Sequence, residues 1–176
     1  MPDRTERAQA VDPRGHSPEQ EAFLAIVRTA AQLTDQIEQV LRPEGIGTAQ
    51  YNVLRILRGS EPGGLCRNQV RDRMLTRMPD MTRLLDRMEH AGLVARTRST
   101  DDRRVVTTRI TSAGLAVLDR LHDAVLDEHR RRLGHVGSGD LRMLSDLLEQ
   151  VRRGAGEAAA GSPTTSEPTM RGTASG

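Results

Sequence analysis

Pro79-Asp80-Met81-Thr82-Arg83-Leu84-Leu85-Asp86-Arg87-Met88-Glu89-His90-Ala91-Gly92-Leu93-Val94-Ala95-Arg96-Thr97-Arg98 changes its periodicity part-way along. Met81, Leu84, Leu85 and Met88 recur at three- and four-residue spacing, so they share one face of a helix starting at Pro79. Gly92 then suits the left-handed residue that ends such a helix. From there the pattern becomes that of strands. Leu93 to Arg98 and Val105 to Ile110 are rich in β-branched residues and are joined by polar Ser99-Thr100-Asp101-Asp102-Arg103-Arg104. This arrangement predicts a β-ribbon.

Working outward, Arg67 to about Leu75 reads as a short helix broken at Thr76-Arg77-Met78. Before it, Thr48 caps a helix from Ala49 to about Arg58, which ends in Gly59-Ser60-Glu61-Pro62-Gly63-Gly64. Ser17-Pro18-Glu19-Gln20 is a helix start with Ser17 as N-cap. Phe23, Ile26, Val27, Ala30, Leu33, Ile37, Val40 and Leu41 keep helical spacing until Pro43 and Gly45. Downstream of the ribbon, Thr111 caps a helix carrying Leu115, Leu118, Leu121, Val125, Leu126 and Leu133. A last helix carries Leu141, Leu144, Leu147, Leu148 and Val151. The expected fold is mainly α with a small two- to three-stranded β wing. Residues 1–16 and 154–176 hold almost no large apolar side chains and are expected to be disordered tails flanking a domain at 17–153.

Composition narrows the function. All 26 basic residues are arginine, which excludes chemistry needing a lysine amine in cis, such as a Walker A loop or a Schiff base. A single cysteine, Cys66, excludes a CxxC pair, a multi-Cys zinc site and an intrachain disulfide. Tyr51 and Phe23 are too few aromatics for a base-stacking platform. No apolar run approaches the roughly 18–20 residues of a membrane span, and no secretory h-region is visible, so a cytoplasmic protein without a membrane partner is expected. The formal net charge of +2 hides segregation: Arg67 to Arg109 holds eleven arginines and six acids, and the remainder of the chain is net acidic. No Ser/His/Asp set, paired carboxylates or cofactor motif stands at useful spacing, so neither an enzyme nor a cofactor is expected.

Two short helices followed by a ribbon make a winged helix-turn-helix, whose second helix enters the DNA major groove. Opposite its apolar face, that helix offers Pro79, Asp80, Thr82, Arg83, Asp86 and Arg87, with Arg83 placed to contact guanine. Arg67, Asn68 and Gln69 begin the preceding helix, whose first turn contains no acid, and can meet backbone phosphates; Thr76 and Arg77 lie between the helices. Arg103 and Arg104 at the ribbon tip suit a minor groove. A plain solvated helix face and a solubilising charged turn are the competing readings.

Asp102-Arg103-Arg104 with Ile110-Thr111-Ser112-Ala113-Gly114 resembles the Asp-x-Arg…Leu-Thr-x-x-Gly signature of the MarR family of winged-helix regulators. Thr82 to Glu89 with Gly92-Leu93-Val94 resembles its recognition-helix segment, and Gly45-Ile46-Gly47-Thr48-Ala49-Gln50 its helix-two entry. The resemblance implies a homodimeric, ligand-responsive regulator, a repressor, with 48–110 as the winged helix-turn-helix and 17–42 and 111–153 as dimerisation helices. Its partners would be double-stranded DNA with a pseudo-palindromic operator and a small-molecule effector such as an aromatic anion. By the same resemblance Arg83 contacts bases, Arg104 enters the minor groove and Asp102 holds the wing arginines. Met78-Pro79-Asp80 departs from the family's Ser-rich helix start.

Tyr51 is a candidate lining residue of the effector pocket, with a packed helix residue as the alternative. Cys66 beside Arg67 is a candidate redox thiol, or a packed one. His122 and His129 are spaced roughly 10 Å apart along a helix, too far to share one metal ion, and are expected at a dimer interface. A protein-interaction adaptor and a thiol-based redox-sensing regulator remain as alternative functions.

Overall fold

A computed structural model describes residues 17–98 and 106–160, with side chains described through residue 154. Two units divide the chain, one reaching to Arg132 and one starting at Leu133.

The first unit opens with α1, Pro18–Leu41. Ser17 Oγ accepts the Gln20 N–H at 3.3 Å, and Pro18 sits in the first turn, where its missing N–H removes no helical bond. A short 3-10 turn, Arg42–Glu44, leads to α2, Thr48–Arg58. Gly47 rather than Thr48 takes the cap position, because Gln50 Oε1 reaches back to accept the Gly47 N–H at 3.0 Å. Thr48 is therefore already helical, and its hydroxyl donates to Glu38 at 3.4 Å.

After α2 come β1, Leu65–Cys66; α3, Arg67–Asp72; and α4, Met81–His90. Next are β2, Val94–Arg98; β3, Val106–Ile110; and α5, Ser112–Leu133. The sheet has the order β1-β3-β2, with both neighbouring pairs antiparallel. Leu65 pairs with Thr108, and Val94 with Ile110. The wing is thus three-stranded. Gly64, at φ +70, makes the entry into β1 possible: a Cβ there would lie 2.7 Å from the Thr108 carbonyl oxygen.

Two helix limits differ from expectation. α3 ends at Asp72 and not near Leu75, because the Leu75 N–H bonds the Asn52 side-chain oxygen at 3.1 Å instead of continuing the helix. α4 begins at Met81, with Pro79 and Asp80 outside it, because Asp80 Oδ1 accepts the Arg83 N–H at 3.0 Å and so acts as the cap.

Leu41, Val53, Leu54, Leu57, Val70, Leu84, Leu85 and Met88 are buried together with Val94, Leu118, Leu121 and Val125. The predicted apolar face of α4 is therefore wholly enclosed. That core holds the outer face of α4 in a fixed orientation against the sheet. α5 closes on the same core at Gly114, where a Cβ would stand 2.3 Å from the Leu93 carbonyl oxygen and 2.8 Å from Ile110 Cγ1. Thr111 secures this junction: its hydroxyl donates to the Gly92 carbonyl at 2.6 Å and accepts the Gly114 N–H at 3.1 Å. The Thr-x-x-Gly spacing thus has a packing cause.

The second unit contains α6, Ser138–Ala160. It runs past Gly154, where the C-terminal tail was expected to start. Ala155, Glu157 and Ala158 to Ala160 have high helix propensity, which offsets Gly154 and Gly156. Met143, Leu144, Leu147 and Val151 on α6 are exposed.

Candidate nucleic-acid interface

Burial of Met81, Leu84, Leu85 and Met88 turns the other side of α4 outward, leaving Thr82, Arg83 and Arg87 exposed. Arg67, at the start of α3, donates through Nη1 to Thr82 Oγ1 at 3.2 Å. The first turns of the two helices are thereby joined by a guanidinium and a hydroxyl, both on the surface. Asn68 is exposed beside them. Gln69 is also exposed, but its side-chain oxygen accepts the Cys66 N–H at 2.9 Å, which caps α3. The acid-free first turn of α3 therefore has a partner within its own sequence.

Thr76, Arg77 and Pro79 are exposed in the connection between α3 and α4. Asp80 closes that connection, and its second oxygen pairs with Arg83 Nε at 3.4 Å. The Asp80 carboxylate thus faces the positive end of the helix and Arg83, which partly balance its charge toward an incoming phosphate. Arg103, Arg104 and Asp102 lie outside the described residues. Cys66 is half-buried in β1, its backbone paired with Thr107.

One cluster was missed from sequence. Arg96, on β2, reaches α4 by two carboxylates: Nη2 lies 2.6 Å from Asp86 Oδ1, while Nε and Nη2 lie 2.7 and 2.5 Å from Glu89 Oε2. The Arg96 N–H also donates to Glu89 Oε1 at 3.1 Å. Hydrogen bonding from Arg96 holds the Glu89 carboxyl below the usual glutamate range, and Glu89 in turn raises the Arg96 pKa. The available signal was an acid in the last turn of a helix and an arginine just inside the following strand. Arg96, Arg67, Asn68 and Thr82 share a cavity of about 480 Å³ between α3, α4 and the sheet.

A second cavity, of about 280 Å³, lies among α1, α2, α5 and the segment after α3. Tyr51, Asn52 and Arg55 line it from α2, Leu75 and Thr76 from that segment, and His129 from α5. The Arg55 guanidinium stands 5.9 Å from the centroid of the Tyr51 ring. Tyr51 is therefore a cavity residue as well as a packed one. His122 and His129 are both exposed, and no group of three or more metal-ligating side chains occurs among the described residues.

The model of the MarR family matches residues 48–106, from the start of α2 to the first residue of β3. The crystal structure of a MarR transcription factor from Planctomyces limnophilus is similar at 39% identity, over 77% of this chain and 98% of that one, with a TM-score of 0.60. The chain belongs to the MarR family. Other relatives are transcriptional regulators. The HTH-type transcriptional regulator FarR from Neisseria gonorrhoeae is 25% identical over 130 residues, which is 74% of this chain and 88% of FarR. The structure of the transcriptional repressor CouR bound to a 23-mer DNA duplex is similar at 26% identity, over 73% of this chain and 89% of that one, with a TM-score of 0.65. This MarR protein is a DNA-binding transcriptional regulator with a winged helix-turn-helix, and no described helix is long and apolar enough to cross a membrane.

Proposed function

We propose that this regulator is a homodimeric repressor that grips a pseudo-palindromic operator and releases it when an aromatic anion fills the cavity beside Tyr51. The observation that carries the reading is the outward face of α4, where Thr82, Arg83 and Arg87 stand opposite a fully buried apolar face and next to Arg67. In this reading Arg83 and Thr82 contact base edges. Arg67, Asn68, Gln69, Thr76, Arg77 and Arg87 meet phosphates, and Pro79 with Asp80 sets the start of the helix against the groove. Arg103 and Arg104 take the minor groove, with Asp102 holding them.

Phe23 and Val27 on α1, 64% and 48% exposed, support dimerisation, as do the exposed Met143, Leu147 and Val151 on α6. Each set recurs every four residues along one helix face, an exposed apolar stripe that suits a partner helix, and two-fold symmetry places the two reading helices on half-sites about one DNA turn apart. The description of CouR as a repressor supports that direction of regulation.

The cavity beside Tyr51 supports effector control. Its wall combines apolar Leu33, Ile37 and Val125 with Arg55, which suits a flat apolar body bearing a negative charge. Thr76 lies in both that wall and the connection to α4, so an occupant that displaces this segment also displaces the reading helix. Such an effector lowers DNA affinity by the same factor by which DNA lowers its own.

A gel shift on the DNA flanking the protein's own gene, with salicylate and related phenolic carboxylates added, tests the reading. Retardation relieved by one of them is the expected result. Failure to retard any duplex at low salt contradicts it.

A further inference from the structure

We propose that Arg96 is a positioning residue for sequence recognition: it locks the angle between the reading helix α4 and the wing strand β2, and so lets one rigid body address two grooves. The proposal rests on the DNA-reading function above and adds a residue to it. Arg96 belongs to the strand and reaches α4 through two half-buried acids, Asp86 and Glu89. It is three-quarters buried, and its two carboxylate partners, Asp86 and Glu89, are on successive turns of the helix.

The geometry is a three-point clamp. The Arg96 backbone N–H fixes Glu89 from the strand at 3.1 Å, Nε fixes it from the side chain at 2.7 Å, and Nη2 crosses to Asp86 at 2.6 Å. A planar guanidinium can hold two carboxylates at once in a fixed plane, which a single ammonium cannot do. Helix and strand are already packed through Leu85, Met88 and Val94, and that apolar contribution is non-directional. The clamp supplies direction. A small rotation of α4 would move Arg83 off a base edge, where a bidentate contact needs both N–H groups aligned, without removing any phosphate-binding cation.

Electrostatics makes the opposite prediction, which lets the two be separated. Asp86 and Glu89 are acids on a helix that faces a polyanion. If charge alone mattered, neutralising either would strengthen binding to every duplex equally. If the clamp sets geometry, neutralising either loosens α4 and lowers discrimination.

The test uses the full chain. A duplex selected by the wild-type protein from a random library is compared with a scrambled duplex of the same length, and the ratio of the two affinities is read for each variant alongside its thermal midpoint. Arg96→Met is expected to lower the ratio by about tenfold or more while affinity for the scrambled duplex changes by less than about threefold. Asp86→Asn and Glu89→Gln are each expected to lower it by about threefold, and Arg96→Lys to recover only part of the loss. If Arg96→Met does not fold, the two milder variants decide. An unchanged ratio in folded Arg96→Met, or in both milder variants, overturns the proposal. A fall confined to Asp86→Asn marks a base contact by Asp86 and also overturns it. A wild-type protein that selects no sequence overturns the DNA-reading function itself.

Discussion

Asp80 holds Arg83 twice: one carboxylate oxygen accepts its backbone N–H at 3.0 Å and the other pairs with its guanidinium at 3.4 Å. The first bond builds the reading helix and the second parks its exposed Arg83. Arg83 is 81% exposed, so the ion pair is weak and is easily exchanged for a base or phosphate.

Separate substitutions at Asp80 divide these roles. Asp80→Ala removes the cap and is expected to cost about 1 kcal/mol of stability, whereas Asp80→Asn keeps a capping oxygen and stays within a few tenths of a kcal/mol of wild type. Asp80→Asn should also bind any duplex more tightly, since a negative charge has left the DNA face. Thermal unfolding and a low-salt gel shift read the two effects, and equal destabilisation by Ala and Asn contradicts the capping account.

Arg67 and Arg87 act on phosphates in this account. Arg67→Ala and Arg87→Ala should each reduce the slope of log affinity against log salt by about one, with sequence preference largely kept. A salt titration of each variant checks this. An unaltered slope removes that residue from the interface.

Gly114 is tested by stability alone. Its Cβ would meet the Leu93 carbonyl oxygen at 2.3 Å, and backbone atoms cannot move aside as a flexible side chain does. Gly114→Ala is expected to cost about 3 kcal/mol, the upper range for overpacking, and to lower the thermal midpoint by several degrees. A midpoint equal to wild type contradicts the close packing of α5 on the end of α4.

Glu128 on α5 governs part of the acid limb. It is 5% exposed, and hydrogen bonding from Arg132 holds its carboxyl below the usual range, with Arg131 also beside it. A carboxyl whose pKa is depressed in the folded state stabilises above its unfolded value of about 4.3, and that contribution is lost as pH falls through the lower folded value. Glu128→Gln should therefore be less stable than wild type at pH 7, and the two should converge as pH drops below about 4. Parallel stability curves across that window contradict the assignment.

Most helices were legible because their cores are periodic: Met81, Leu84, Leu85 and Met88 were placed correctly on a buried face. Limits set by single polar side chains were not. Asn52 ends the third helix by taking the Leu75 N–H, and Gln50 and Asp80 decide two starts, through bonds that periodicity does not encode. β1 escaped notice because it is two residues long and exists only through its pairing with β3. The Arg96 clamp was hidden for a related reason, since it depends on how a strand crosses a helix seven residues away in sequence. Tyr51 was found as a lone phenol; Asn52 and Arg55 share its helix, but Leu33 and Ile37 of α1, Thr76 and His129 of α5 join them only in the fold.

The central claim is that the outward face of α4 reads DNA sequence through Arg83. The most direct measurement is the affinity of wild type and Arg83→Ala for the selected duplex and its scrambled counterpart at one salt concentration, with the thermal midpoint recorded for both. The account predicts that Arg83→Ala loses about 1–3 kcal/mol of discrimination, the worth of a bidentate guanine contact, while keeping its fold and most of its affinity for the scrambled duplex. Wild-type discrimination retained by a folded Arg83→Ala would contradict it.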